Sequence, residues 1–242
     1  AAEISIELLM VNQGGEWRTA HHLVAREIMQ QILAPANSEE REAVWRQKLS
    51  SWAKDFASFC RRDEQTTSDW LLELLRRIFI YRDNFEMLGT ERADQSLFAH
   101  LIEDIPSRHG KLEVLQHLTK CFPLEAHFHA HLGRFLGLNG EYDEGLNCVE
   151  FAVSLQPGDH VLHHMRGMVL RQKMRADAEK RAPVQQLIGT AKKATESFQE
   201  ARRLCPDIEY GYVSEVQVLI DLLDRAGADA RDTVLNVLAR PD

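Results

Sequence analysis

Apolar residues recur at intervals of three and four from Ser38 onward, with polar residues between them. A clear example is the run that contains Val44, Trp45, Leu49 and Trp52. This spacing gathers apolar side chains on one face of an α-helix, which can then pack against other helices. The pattern therefore predicts an all-α protein over most of the chain.

One arrangement of small, apolar and turn residues appears twice in the later half of the chain and begins a third time. In the first copy Gly133 and Gly145 are followed by Pro157, which lies 24 residues after Gly133. The corresponding residues of the second copy are Gly167, Ala194 and Pro206. Glycine lets a second helix approach closely and proline ends a helix, so each copy is predicted to be a helical hairpin.

The turn of the first hairpin is expected at Gly140-Glu141-Tyr142-Asp143. Glycine supplies a left-handed helix end, and Asp143 is expected to cap the next helix. Hairpins of about 34 residues with this arrangement resemble tetratricopeptide (TPR) repeats. Residues 123–242 are therefore interpreted as TPR-like repeats, and residues 36–122 as degenerate helical repeats of the same array. The resemblance implies a right-handed helical solenoid.

The sequence differs from typical TPR hairpins at two positions and in the spacing of its second copy. Gly145 stands where these hairpins usually carry alanine, and Val149 stands where an aromatic residue is usual. In the second copy Gly167 and Ala194 are 27 residues apart, against 12 for the corresponding pair of the first copy. This difference predicts an insertion of about fifteen residues within 172–189, interpreted as an extension of the hairpin's first helix plus a loop.

Residues 1–35 have a different pattern. Apolar residues alternate over Ile4–Met10, which indicates a strand, and Asn12-Gln13-Gly14-Gly15 is typical of a hairpin turn. Glu16–Ala20 is predicted to be the return strand, and a helix is predicted from His21 to Leu33. The predicted fold therefore includes a short β-hairpin, interpreted as the remnant of a winged-helix-like unit joined to the array.

A second resemblance lies in the stretch from Arg18 to Ile28, which reads Arg-Thr-Ala-His-His-Leu-Val-Ala-Arg-Glu-Ile. It is similar to the His-Pro-Leu-Val-Ala-x-Glu-Ile-Leu stretch of STAND-type P-loop NTPases, with His21 at the motif histidine and His22 where proline is usual. Together with the helical array, it resembles the sterile-alpha-motif-containing antiviral proteins and their bacterial relatives. No Walker A pattern occurs in the chain. The resemblance implies a sensor or autoinhibitory scaffold within a larger defence NTPase.

Composition and charge narrow the possible functions. The chain has 242 residues, of which 44% are hydrophobic and 27% charged, as in ordinary globular proteins. A net charge of −8 disfavours a dedicated nucleic-acid binder. No apolar run is long enough to predict a membrane span. The four cysteines lack metal-ligand spacing and are interpreted as reduced thiols of a cytoplasmic protein. The start at Ala1-Ala2 is interpreted as that of a fragment of a longer polypeptide.

Histidines form two clusters in the array: His127, His129, His131, His160, His163 and His164. Pairs four residues apart on a helix can bind zinc when a third ligand completes the site. The chain lacks a His-Glu-x-x-His motif, and polar lining of a groove is the alternative interpretation. A metal site is therefore the third hypothesis, and no metal ligand or cofactor is assigned. Catalytic motifs are also absent from the sequence, so the chain is predicted not to be an enzyme.

The first hypothesis for function is protein binding in a groove lined by the first helix of each hairpin. The partner would be the NTPase core of the same protein or a sensed protein. The residues predicted to line this groove are His129, Arg134, His163, Arg166 and Tyr212. The alternative is a nucleic-acid-contacting arm, which requires the basic doublets and the segment 171–181 to converge on one face. These doublets are Arg61-Arg62, Arg76-Arg77, Lys192-Lys193 and Arg202-Arg203.

Overall fold

The computed structural model describes residues 10–13, 16–19, 38–61, 107–207 and 209–238, together with Leu72, Leu75, Arg76, Phe79 and Ile105. Most of the predicted winged-helix remnant and of the STAND-like stretch lies outside the described residues. The chain divides into two compact units, Ala1–Val114 and Leu115–Asp242.

The first unit contains two short strands, β1 (Met10–Gln13) and β2 (Glu16–Thr19), which pair antiparallel. Met10 lies opposite Thr19 in this pairing, and Gln13 lies opposite Glu16. Asn12 and Gln13 were expected in the turn, but they belong to β1. The winged-helix interpretation stays a prediction.

The first unit also contains α1 (Ser38–Cys60) and the beginning of α2 (Arg108–Cys121). In α1, buried residues recur every four positions at Leu49, Ala53 and Ala57. Lys54 Nζ of α1 lies 3.0 Å from Glu113 Oε2 of α2. A helix was predicted to start at Lys111, but α2 begins three residues earlier.

The earlier start of α2 follows from a hydrogen bond of Ser107. The Ser107 hydroxyl accepts a hydrogen bond of 3.0 Å from the Gly110 backbone N–H, as a helix-capping serine does.

The described part of the second unit consists of helices joined by short turns. Its helices are α3 (Ala126–Leu138), α4 (Tyr142–Leu155), α5 (His160–Glu179), α6 (Val184–Leu204) and α7 (Tyr210–Ala226), followed by a 3-10 turn (Gly227–Ala230) and α8 (Arg231–Leu238). As predicted, α4 and α6 each end two residues before a proline, Pro157 and Pro206.

The turn between α3 and α4 confirms one expectation and corrects another. Gly140 has a φ of +89°, in the left-handed region expected of it. Asp143 was expected to cap α4, but the helix begins at Tyr142 after Glu141 and has no side-chain cap. Asp143 instead lies in the first turn, where a carboxylate interacts favourably with the helix dipole.

The hairpin of α3 and α4 is held at a close backbone approach. A Cβ placed on Gly133 would lie 2.5 Å from the Gly145 carbonyl oxygen, and one on Gly145 would lie 2.6 Å from the Gly133 carbonyl oxygen. Gly133 also faces Val149, while Gly145 faces Gly137, so the two helices run antiparallel. This approach explains why glycine occupies position 145 in place of the usual alanine.

The hairpin of α5 and α6 is longer than the first. Helix α5 has 20 residues against 13 in α3, and α6 has 21 against 14 in α4, so each helix gains seven residues, about two turns. The extra length therefore lies in both helices. The prediction of a longer first helix followed by a loop was wrong. Gly167 packs against the ring of Phe198 near one end, and Gln186 bonds Asp177 near the other.

Two hydrophobic clusters form the core of the second unit. One joins α3, α4 and α5 around Val149 and Met165, and the other joins α5, α6, α7 and α8 around Phe198 and Val218. Among the described residues, no helix combines the length and apolar character needed to span a membrane.

Candidate protein-interaction surface

The first helices of successive hairpins lie side by side and run parallel. His164 Nε2 of α5 lies 3.0 Å from Ser214 Oγ of α7, and Arg171 Nε donates to Asp221 Oδ2 of α7 at 2.6 Å. The partners of both pairs are 50 residues apart, so α7 follows α5 in the same direction.

Helices α3 and α5 are related in the same way. His127 Nε2 of α3 lies 2.9 Å from Asp159 Oδ2 at the start of α5. Ten residues further along α3, a Cβ on Gly137 would lie 3.1 Å from Val169 Cγ1 of α5. Helices α3, α5 and α7 thus form one row of parallel first helices.

A local hydrogen-bonding unit repeats at the start of the first two of these helices. The ring of His129 donates from Nε2 to the Pro123 carbonyl oxygen at 2.9 Å, and His163 donates to the Pro157 carbonyl oxygen at 2.8 Å. The two units are 34 residues apart, which is the predicted repeat length. Because a carbonyl only accepts, each histidine carries its proton on Nε2 when neutral.

The same two helices have acidic N-caps at equivalent positions. Glu125 accepts a hydrogen bond from the His127 backbone N–H at 3.3 Å, and Asp159 accepts one from Val161 at 2.8 Å. Burial alone would raise the pKa of Asp159, but the hydrogen bond and charge of His127 and the Val161 N–H lower it overall. Asp159 thus stays ionised where one repeat contacts the next.

His164 lies at the contact of α5 with α6 and α7. Its ring centroid lies 5.4 Å from that of Phe198 and 6.0 Å from that of Tyr210. Burial, followed by the charges of Arg134 and His160, lowers the pKa of His164 from 6.5 to about 4. His164 is therefore neutral at physiological pH and acts as a hydrogen-bonding core residue.

Three of the five residues predicted to line a groove are partly or fully covered. The ring edge of His129 packs against Phe151 of α4, with centroids 4.8 Å apart. His163 is buried and bonded to its proline carbonyl. Arg134 is only 3% exposed, and its charge acts on His164 in the interior.

The other two predicted groove residues contact second helices. Arg166 reaches Glu150 of α4 at 3.5 Å and Ser197 of α6 at 3.4 Å. Tyr212 is 45% exposed, and the Arg202 guanidinium of α6 lies 4.7 Å from its ring centroid. The five residues therefore do not form one solvent-exposed groove surface. Their role in binding stays a prediction.

Many basic side chains of the array are held by carboxylates. Arg202 donates to Glu215 in a buried pair, and Arg203 donates to Glu200 at 2.6 Å on the surface. Further such pairs are Arg166 with Glu150, Arg171 with Asp221, Lys173 with Asp143, and Arg225 with Glu179. The doublet Lys192-Lys193 is exposed on α6, while Arg62 and Arg77 lie outside the described residues.

Four histidines of the two clusters bond other groups of the protein: His127, His129, His163 and His164. Within the part of the chain that the structure describes, no group of three or more histidine, cysteine, aspartate or glutamate side chains is placed to hold a metal ion. All four cysteines are free thiols, and burial followed by the charge of Glu144 raises the pKa of Cys148.

An exposed apolar face that was not predicted from the sequence lies on α7. Its residues, Val213, Val216, Ile220 and Leu223, are 51%, 50%, 51% and 37% exposed. The opposite face of α7 is buried at Val218 and Leu222. The sequence does contain a signal for this face, because the apolar residues of α7 occur on every side of the helix. A helix of this kind is normally covered on all sides.

The stacked hairpins place the described second unit in the class of helical-repeat folds. No family model matches this sequence, and no curated protein matches it. Among solved structures, the chain is similar to a monomeric mutant of IFIT1 with Gppp-AAAA, at 16% sequence identity and a TM-score of 0.44. The match covers 93% of this chain and 52% of that one, so this chain spans about half the length of that protein.

Proposed function

We infer that this chain is a non-catalytic protein-interaction module built from helical hairpins. The observation that carries this function is the exposed apolar face of α7. Large contiguous apolar patches on the surface of soluble proteins commonly mark interaction sites. The helix that carries this face is anchored in the core, because Val218 and Leu222 on its other side are buried.

The charges of the array favour protein over nucleic acid as the partner. Nucleic-acid binding depends on cationic side chains that contact phosphates. Arg171, Lys173, Arg202 and Arg203 contact carboxylates of the chain itself. Together with a net charge of −8, these ion pairs give the nucleic-acid arm less support than the protein module.

Capture from cell lysate tests this proposed function. The immobilised chain would be incubated with one lysate before and after nuclease digestion, and bound protein and nucleic acid would be measured separately. A protein-interaction module retains the same proteins under both conditions. Recovery of RNA or DNA, with the proteins lost after digestion, would favour the nucleic-acid arm and contradict the proposal.

The control bait for this experiment is Gly167→Val. A Cβ at this position would already lie 2.5 Å from the ring of Phe198, so a branched side chain disrupts the α5–α6 hairpin. Proteins that this variant captures as well as the wild type does are binding to exposed core residues. They are removed from the set of candidate partners.

The setting that we propose for the module is a cytoplasmic STAND-type defence NTPase, in which it senses a protein or holds the NTPase core inactive. The support is the similarity of Arg18–Ile28 to the stretch that follows the nucleotide-binding core in those proteins. Sequencing the complete transcript that encodes this chain tests the setting. A Walker A pattern in the same reading frame is expected, and a complete polypeptide without one would contradict it.

A further inference from the structure

We propose that the exposed face of α7 binds a single amphipathic α-helix of a partner protein, with basic residues beside the apolar positions of that helix. This inference rests on the proposed protein-interaction function and names the chemistry of its partner. The binding face consists of Val213, Val216, Ile220 and Leu223, which we call the α7 stripe.

The spacing of the α7 stripe is that of a seam between two helices. Val213 and Val216 are three residues apart, Ile220 follows after four, and Leu223 follows after three. This alternation of three and four is the a and d pattern of a heptad, which packs against one partner helix. The four residues form a single a and d seam, so one helix fits the stripe better than a broad globular surface does.

Comparison with α5 shows which positions the stripe occupies in the repeat. Pro157 and Pro206 mark equivalent points 49 residues apart, so each residue of α7 corresponds to the residue of α5 that lies 49 positions earlier. By this relation the stripe corresponds to four residues of α5: His164, Gly167, Arg171 and Met174.

All four equivalent positions of α5 are covered by neighbouring helices. Gly167 packs against Phe198 of α6, and Met174 is buried in the cluster that contains α6. His164 and Arg171 bond residues of α7. The α7 stripe thus lies at the positions where helices dock in the preceding repeat, yet on α7 its apolar side chains are exposed.

The charged residues beside the stripe indicate the charge of the partner helix. Glu209 lies one turn before Val213, Asp224 follows Leu223, and both carboxylates are exposed. The nearest basic residue of α7, Arg225, pairs with Glu179 of α5 at 3.6 Å. The stripe therefore has acidic residues at both ends, and basic residues on a partner helix would complement them.

The same charges disfavour a second copy of this chain as the occupant. If two α7 helices packed antiparallel, Glu209 of each copy would meet Asp224 of the other. If they packed parallel, identical carboxylates would face one another. Like charges across an interface destabilise it, so the stripe is better suited to a different, basic helix.

Two synthetic peptides test this inference, each 21 residues long like α6. One carries leucine at the a and d positions with lysine beside them, and the other has glutamate in place of lysine. Fluorescence anisotropy would give the dissociation constant of each for the intact chain. We expect the lysine peptide to bind at least about tenfold more tightly, with the difference decreasing at high salt.

Two variants of the chain serve as the matched controls. Val216→Glu/Ile220→Glu alters only exposed positions and should weaken binding of the lysine peptide at least about tenfold while the helix content is unchanged. Glu209→Lys/Asp224→Lys keeps the stripe and should reverse the preference between the two peptides. Equal binding of both peptides, or undiminished binding by the stripe variant, would overturn the proposal.

Sedimentation of the chain without peptide tests whether the stripe binds a second copy of the chain. A dimer that dissociates in Val216→Glu/Ile220→Glu would assign the stripe to a second copy and overturn the proposal. Failure of the peptide test leaves the proposed function standing if nuclease-resistant protein capture is still observed. Loss of that capture would instead contradict the proposed function itself.

Discussion

At the scale of single residues, the structure separates histidines that look alike in the sequence. His129 and His163 donate to the carbonyl oxygens of prolines, and His127 pairs with Asp159 between repeats. His164 is packed between Phe198 and α7 and is held neutral. The clusters that suggested metal binding are therefore sets of residues with different local structural roles.

The lowered pKa of His164 predicts a pH-dependent loss of stability. Between pH 6.5, its ordinary pKa, and about 4, its folded-state pKa, the unfolded chain binds a proton that the folded chain does not. The free energy of unfolding should therefore fall as pH decreases through this window, by up to about 3 kcal/mol from this group. Urea unfolding at several pH values measures the effect.

The variant His164→Gln isolates this contribution. Glutamine keeps a hydrogen-bonding group near Ser214 but does not titrate, so the curve of stability against pH should be flatter below pH 6.5 than that of the wild type. Other titrating groups act on both proteins alike. Parallel curves for the two proteins would show that His164 is not held neutral.

At the scale of elements, glycine at positions 133 and 145 sets the distance between α3 and α4. Gly145→Ala should lower the free energy of unfolding by about 1–3 kcal/mol, because the added Cβ would lie 2.6 Å from a backbone oxygen that cannot easily move. Chemical denaturation gives the value. The loss would exceed the gain in helix propensity, which is about 1 kcal/mol.

Gly189→Ala is the matched control, since this glycine lies within α6 and a Cβ on it meets no atom within 4 Å. That substitution should stabilise the chain by up to about 1 kcal/mol. If Gly145→Ala stabilised it equally, the close approach of α3 and α4 would be disproved.

The contact of α6 with α7 depends on the buried pair of Arg202 and Glu215, which is supported by a hydrogen bond of 2.7 Å from Gln199. Glu215→Ala leaves Arg202 without its carboxylate partner in the interior and should cost about 3–5 kcal/mol of stability, measured by denaturant unfolding. Glu200→Ala removes the partner of the exposed Arg203 and should leave stability nearly unchanged. Equal effects would mean that the buried pair is not the stronger contact.

At the scale of the whole molecule, local signals in the sequence predicted the helical hairpins but not their surfaces. The ends of α4 and α6 followed from Pro157 and Pro206, and the turn before α4 followed from Gly140, because these residues restrict the backbone directly. Apolar periodicity likewise predicted α1 and α2.

The sequence did not reveal which neighbour covers each helix face. Periodicity groups residues on a face, but the contact of Arg171 with Asp221 depends on parallel packing across 50 residues. For the same reason Arg134 was expected in a groove and is buried, while Val216 was not singled out and is exposed. The length of α6 was also missed: Pro183 directly precedes its first residue, but the residues that follow it were interpreted as a loop.

The most direct test of the central claim is quantitative capture of partner protein by two variants of the chain. Val216→Glu/Ile220→Glu alters the α7 stripe, and His129→Ala/Arg166→Ala alters two predicted groove residues that are not fully buried. The account predicts that the first variant loses the nuclease-resistant partners of the wild type and that the second retains them. Retention by the first variant and loss by the second would contradict it and place binding at the predicted groove residues.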